Sequence, residues 1–383
     1  MAENWVGVWG ASPAFPNGPS VANTTIRQYL RTSLAADRVR FRLTNELGES
    51  PLAIGAANIA LPNGQPGGIL PDTVRALTFA GLRTVVLQPG VAILSDPVDI
   101  ELAAFQTLAL DLFIARATGV SATHPLGQAT AWLAKAGDVT QREFLPAPEQ
   151  STARFFISRI EADIAGASSL VTLGDSITDG YGTTQDADRR WPDVLAERLV
   201  GAGRKIGVVN AGISGNRVLH GLPAGEYGPA ALARFDRDVL SVPNVRAMVF
   251  LESINDIGHS GGSGLSEQEV SAPQIIAGIT QIIIRAKEHG IRVFGGTLTP
   301  YRDTMLPGYY NPEGEKKREE LNRWIREGGA FDAVIDFDAA VRDATDPQRL
   351  QPEYDHGDHL HLSDAGYRRM GENGRSGAFR IIQ

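Results

Sequence analysis

From the first residues to about position 164, apolar and polar side chains alternate with a period of two. The run Arg38-Val39-Arg40-Phe41-Arg42-Leu43 is the clearest case. Its charged residues fall on one face of an extended chain and its apolar residues on the other, the pattern of a half-buried antiparallel strand. Shorter runs follow at 52–61, 74–79, 84–87, 98–102 and 108–114, separated by turn formers at Asn63-Gly64, Pro66-Gly67-Gly68 and Pro89-Gly90. Many short strands without a 3.6-residue period predict an antiparallel β-sandwich, jelly-roll-like, over residues 1–164.

Beyond Ala165-Gly166-Ala167-Ser168-Ser169 the period changes. Apolar runs at 170–173, 206–209, 247–251, 292–294 and 333–337 alternate with helical patterns at 191–200, 230–240, 273–288 and 315–327. That alternation predicts βα units around a parallel sheet, and so a second, α/β domain over 165–383. The 273–288 pattern stacks Ile275, Ile279, Ile282 and Ile283 on one face and stops at Gly290, whereas 315–327 is charged on most sides and is expected to face solvent.

Composition narrows the function classes. At roughly 150 residues per domain, a chain of 383 residues holds two to three domains and can bury a core unaided. A net charge of −8 is the wrong sign for gripping phosphate backbones, so nucleic acid is not an expected partner. The absence of cysteine removes thiolate nucleophiles, disulfides and Cys-ligated zinc. Met1 to Gly10 has no basic and apolar leader pattern, so no signal peptide is expected, which fits either a cytoplasmic chain or the mature form of a secreted one. The apolar stretch at 275–284 is broken by Gly278, Thr280 and Gln281 and falls short of the roughly 18 residues of a membrane span. A soluble chain without membrane insertion is expected.

In open parallel sheets ligands bind beyond the carboxyl ends of the strands. Polar residues collect there: Gly174-Asp175-Ser176 after the first predicted strand of the α/β domain, Gly215-Asn216-Arg217 after the second, Asn255-Asp256 after the third, and Asp355-His356-Gly357-Asp358-His359-Leu360-His361 near the C-terminus. Together they supply what acyl transfer to water requires. Ser176 can attack an ester carbonyl if His361 takes its proton, and Asp358 can hold the imidazole's tautomer. The backbone N–H groups of Ser176 and Gly215 and the Asn255 amide can stabilise the oxyanion.

Gly174-Asp175-Ser176, Gly215, Asn255-Asp256 and Asp358-x-x-His361 resemble the four blocks of the SGNH (GDSL-type) esterase and lipase superfamily, in order across 168–370. The resemblance implies a three-layer α/β/α hydrolase domain. It also implies Ser176 as nucleophile, His361 as base, Asp358 as its partner and Ser176, Gly215 and Asn255 as oxyanion hole, with no cofactor. Arg190-Trp191-Pro192-Asp193 and Asp364-Ala365-Gly366-Tyr367 resemble a subgroup with an N-terminal β-domain. The expected substrates are small-molecule or carbohydrate esters carrying short-chain acyl or acetyl groups. A lipase- or lysophospholipase-like acylhydrolase is an alternative, as is a weakly active hydrolase whose β-domain binds a carbohydrate or a partner.

One position departs from the family. Ser253 stands two residues before Asn255, where glycine is usual. If the glycine serves a positive φ, serine strains the turn. The reading preferred from sequence is an ordinary backbone with a local hydrogen bond from Ser253.

Rival motifs are weaker. Gly258-His259-Ser260-Gly261-Gly262 matches a G-x-S-x-G elbow, but no strand runs straight into Ser260, and the segment reads as flexible loop. Asp256-Ile257-Gly258-His259 matches Asp-x-x-His, yet directly follows Asn255. His356, Asp358, His359 and His361 could serve as metal ligands, without a second ligand set elsewhere. Tyr301, Tyr309 and Tyr310 follow a predicted strand, either as a packed loop or as a wall for substrate.

Overall fold

The alternation of the first half resolves into antiparallel sheets in a computed structural model that describes residues 3–221, 227–262 and 266–373. These belong to one of two compact units, Met1–Ala167 together with Gln185–Asp188. A seven-stranded sheet runs Glu149–Ser151, Ala131–Ala134, Thr24–Arg31, Thr107–Ile114, Leu52–Ala60 and Arg75–Ala76, with Val85–Leu87 also paired to Leu52–Ala60. A five-stranded sheet contains Trp5–Gly10, Ile157–Asp163, Ala36–Thr44, Ala92–Leu94 and Val98–Leu102, and a three-stranded one Arg154–Phe155, Ser121–His124 and Phe15–Gly18. Val39, Phe41 and Leu43 are buried, while Arg38, Arg40 and Arg42 on the other face bond Glu3, Glu161 and Glu46. Of the predicted strand 74–79 only Arg75–Ala76 forms a strand, and Phe79 makes an isolated bridge with Leu82.

The second unit, Ser168–Thr184 with Arg189–Gln383, is the expected α/β domain. Its strands are β1 (Ser168–Gly174), β2 (Ile206–Gly212), β3 (Val245–Leu251), β4 (Arg292–Gly296) and β5 (Ala333–Ile335). They form one parallel sheet in the order β2-β1-β3-β4-β5. The helices are α1 (Ser176–Asp179), α2 (Trp191–Gly201), α3 (Ala231–Phe235), α4 (Ile254–Gly262), α5 (Ala272–Glu288), α6 (Pro312–Glu327), α7 (Phe337–Val341) and α8 (Asp364–Glu372). Among the described residues no helix is long and apolar enough to cross a membrane.

α5 buries Ile275, Ile279, Ile282 and Ile283, and Ser271 and Gln274 close its first turn in a capping box. The predicted helix 230–240 divides into α3 and a π turn over Asp236–Leu240. Residues 333–337 do not form a single strand: β5 ends at Ile335 and Phe337 opens α7, whose first turn Asp336 caps through the Ala339 N–H. α6 departs from its expectation, because Glu315 and Arg318 are buried. Arg318 is tied to Glu315 at 2.7 Å, Asp338 at 3.0 Å and the Leu298 carbonyl at 3.0 Å, so charge goes inward with its partners.

Candidate active site

The carboxyl ends of the three central strands lie in register, Gly174 of β1 opposite Gly212 of β2 on one side and Leu251 of β3 on the other. The segments leaving them therefore start side by side. β1 turns directly into the single turn of α1, which Asp175 caps by accepting from the Ile177 N–H at 3.0 Å. Burial pushes the Asp175 carboxyl up to about 7 against that hydrogen bond, and the nearby Asp256 charge adds to the rise.

Ser176 is the first residue of α1. Its Oγ lies 2.8 Å from His361 Nε2, and His361 Nδ1 lies 2.6 Å from Asp358 Oδ2. Asp358 Oδ1 accepts from the Leu360 and His361 N–H groups, which folds the Asp358–His361 turn around its own carboxylate. Burial would raise the Asp358 carboxyl, but these bonds and the imidazole beside it hold it well below the usual carboxylate range. Asp358 is thus ionised wherever His361 has a proton to move. Ser176 and His361 are only 4% and 8% exposed.

The loop after β2 is pinned to α1 by the Ser214 N–H, which donates to Asp179 Oδ2 at 3.0 Å. Two glycines allow this approach. A Cβ on Gly212 would lie 2.3 Å from the Asp179 nitrogen, and Gly215 has φ +77° with the Tyr227 ring 2.2 Å from where a Cβ would stand. Neither the Ser176 nor the Gly215 N–H has an acceptor among the described residues.

Asn255 completes the set from the first turn of α4. Its Nδ2 donates to the Asn216 carbonyl at 2.9 Å, and its Oδ1 accepts from the Tyr309 hydroxyl at 2.7 Å. A carbonyl oxygen only accepts, so the atom facing Asn216 is the nitrogen, and the amide's orientation follows from its partners. The second N–H of the Asn255 amide has no acceptor among the described residues.

Ser253 has φ +116°, and its buried Oγ has no hydrogen-bond partner. This corrects the ordinary backbone and local hydrogen bond expected from sequence: serine occupies the conformation that glycine adopts without strain, and its hydroxyl is unpaired. Next to it Glu252 is buried without a hydrogen bond, 3.7 Å from Arg234, and burial pushes its carboxyl well above the usual range despite that guanidinium.

Arg234, fully buried on α3, binds the segments together from below. It donates to the carbonyls of Gly174 and Ala211, to Asn216 Oδ1 and to Asp238 Oδ2. Asp256 accepts from the Val218 and Leu219 N–H groups and so anchors the far end of the β2 loop. No motif marked Arg234 or Tyr309 in these roles. Of the two readings of the tyrosine segment, packed loop or substrate wall, Tyr301 and Tyr309 follow the first, since both are buried.

The rival motifs fall elsewhere. Ser260 lies well inside α4 rather than at a strand-to-helix elbow, and the expected flexible segment is helical as far as Gly262; Ser263, Gly264 and Leu265 lie outside the described residues. The His259 ring stacks on Tyr227 and meets Tyr309 edge-on, while Asp256 is engaged with the β2 loop. His359 bonds Asp355 rather than Asp358. Among the described residues no group of three or more His, Cys, Asp or Glu is placed to hold a metal ion.

The family model for GDSL-like lipases/acylhydrolases matches residues 172–369, more than half of the chain. Solved structures similar to part of the chain include the native aryl esterase of M. smegmatis, 17% identical, the match covering 54% of this chain and 95% of that one at a TM-score of 0.42. A carbohydrate acetylesterase family member from Sinorhizobium meliloti is 16% identical over 54% and 94% of the two chains, with a TM-score of 0.42. A GDSL-like lipase from Bacteroides thetaiotaomicron is 19% identical over 53% and 84%, with a TM-score of 0.39. No curated protein matches the chain.

Proposed function

Because the chain belongs to the GDSL-like lipase/acylhydrolase family, we propose that it is a serine esterase that hydrolyses carboxylic esters of short-chain acids, acetyl esters foremost, through an acyl-enzyme on Ser176. The reading rests above all on one observation, the relay in which Ser176 Oγ, His361 and Asp358 are linked at 2.8 and 2.6 Å. The near-complete burial of Ser176 and His361 suits a small acyl group better than a long chain.

In the proposed cycle the Ser176 oxygen bonds to the ester carbonyl carbon while His361 Nε2 takes the hydroxyl proton. The carbonyl electron pair moves onto oxygen, where the Ser176 and Gly215 N–H groups and the free N–H of Asn255 receive it. Collapse breaks the bond to the alcohol, and His361 returns its proton to the departing oxygen. Water then repeats the sequence: it loses a proton to His361, attacks the acyl carbon and releases the acid, and the proton passes back to Ser176. The cycle balances without a cofactor.

Labelling with a fluorophosphonate ester, followed by peptide mapping, tests this. The label is expected on Ser176, with Ser176→Ala losing both the label and on the order of 10⁶ in kcat for a short-chain ester. Label on another serine, or esterase activity retained in Ser176→Ala, overturns the reading.

A further inference from the structure

We propose that Tyr181 is the platform on which the alcohol half of the ester rests, and that it selects esters of aromatic or other apolar alcohols over those of polyhydroxylated ones. The inference depends on the reading of Ser176 and His361 given above. In that cycle His361 Nε2 must hand its proton to the leaving oxygen, so the alcohol has to lie within reach of the imidazole. One aromatic ring is in direct contact with that imidazole, and the exposed His356 meets the same ring edge-on at 6.1 Å. The Tyr181 ring lies against the imidazole, with centroids 4.2 Å apart and a tilt of 35°.

Tyr181 does not have the features of a packing residue. It is 40% exposed beside a nucleophile and base that are almost completely covered. Its backbone is nevertheless fixed: the Tyr181 N–H donates to the Ser176 carbonyl at 3.0 Å, and the Tyr181 carbonyl accepts from the Tyr367 hydroxyl at 2.6 Å. An exposed ring on a rigid backbone, flanking the proton donor, is preorganised to bind a planar apolar group at small entropic cost.

A second loop with exposed apolar side chains is tied to the same turn. The Met305 N–H donates to the Asp358 carbonyl, which ties this loop to the turn that carries His361, and Met305 and Leu306 are 67% and 46% exposed. Apolar side chains at this level of exposure favour an apolar ligand and offer no hydrogen bonds to sugar hydroxyls.

Three acetyl esters test the proposal: benzyl acetate, ethyl acetate and a monoacetylated methyl xyloside. All form the same acetyl-enzyme, so deacylation is common to them and differences arise in acylation. Tyr181→Leu is expected to lower kcat/KM for benzyl acetate about tenfold, mainly through KM, while ethyl acetate changes less than about twofold. Tyr181→Phe is expected to keep the wild-type order, because the ring rather than the hydroxyl does the selecting. An equal loss on all three esters would make Tyr181 a prop for His361 and overturn the proposal. A loss confined to the xyloside would overturn it in favour of sugar stacking. A Ser176→Ala variant that still turns over ethyl acetate would instead remove the serine mechanism on which the inference rests. Should Tyr181→Leu fail to fold, Met305→Glu provides the same comparison at an exposed position, with benzyl acetate again expected to suffer and ethyl acetate not; equal behaviour of the two esters overturns the apolar surface.

Discussion

Asn255 is held at both ends of its amide, and mutation can separate the two holds. Tyr309 touches no reacting atom in the proposed cycle; it is a positioning residue acting through Oδ1. Tyr309→Phe is therefore expected to lower kcat about tenfold with KM nearly unchanged, whereas Asn255→Ala loses on the order of 10²–10³. The double variant should be no slower than Asn255→Ala alone, since Tyr309 has nothing left to orient. Steady-state kinetics on one short-chain ester decides this, and additive losses would give Tyr309 a separate role. The proximity of Ser176, His361 and Asp358 is foreshadowed in the sequence, because the proposed acyl transfer demands particular residue types at the ends of strands. Tyr309 is not, because its role depends on where a loop packs, and no spacing encodes that. Ser253 is half legible: its identity is odd for the family, but its φ of +116° cannot be read from its residue type.

At the scale of elements, the three central strands deliver their loops over a buried ionic cluster. Arg234 joins β1, β2 and the π turn after α3, with Asp175 and Glu252 near it inside the unit and Asp256 near Arg217. Burial pushes Asp175 up to about 7 and Asp256 up to about 6, and it raises Glu252 as well. A carboxyl whose folded pKa lies above its unfolded value contributes stability that is complete below the unfolded value and is lost as the pH rises through the folded one. Asp238 behaves in the opposite sense: although burial opposes it, Arg237 and Arg234 hold it at about 2, so its contribution is lost as the pH falls from the ordinary carboxylate range toward that value. These groups together are expected to make stability peak near about pH 4 and decline as the pH rises from there through 7. Asp175→Asn keeps the acceptor for the Ile177 N–H and removes the charge. It should raise the melting temperature at pH 8 by on the order of 5 °C and change it little at pH 4. Thermal melts at the two pH values check this; an equal shift at both would assign the effect to packing. The element pattern itself was largely readable, since strand and helix periods differ. The inward charges of α6 and the helical course of α4 were not, because sequence pattern cannot show that Arg318 meets Glu315 and Asp338, or that a glycine-rich stretch continues a helix.

Across the whole molecule, the polypeptide passes between its two units three times. It leaves the β unit after Ala167, returns to it for Gln185–Asp188, and re-enters the α/β unit at Arg189. The returning segment is well fastened within the β unit: Asp186 accepts from the Thr130 N–H and hydroxyl, the Asp186 N–H donates to the Gln128 carbonyl at 3.0 Å, and Gln185 donates to Thr130. In a shortened chain that starts at Ser168, Asp186 loses all of these partners. Its amide is then expected to exchange with solvent at least about a hundredfold faster than in the whole chain, while amides of β1 such as Val171 stay protected. Hydrogen exchange on both proteins measures this, and unchanged protection at Asp186 would mean that the segment is held from elsewhere. This excursion was invisible in the sequence, whose pattern changes at a single junction near 164–168. The threading also constrains descent. A module strung on one junction is gained or lost by a single recombination event, whereas this one shares a four-residue loop with its neighbour, so a lineage that discards it must also rebuild the loop that follows the nucleophile.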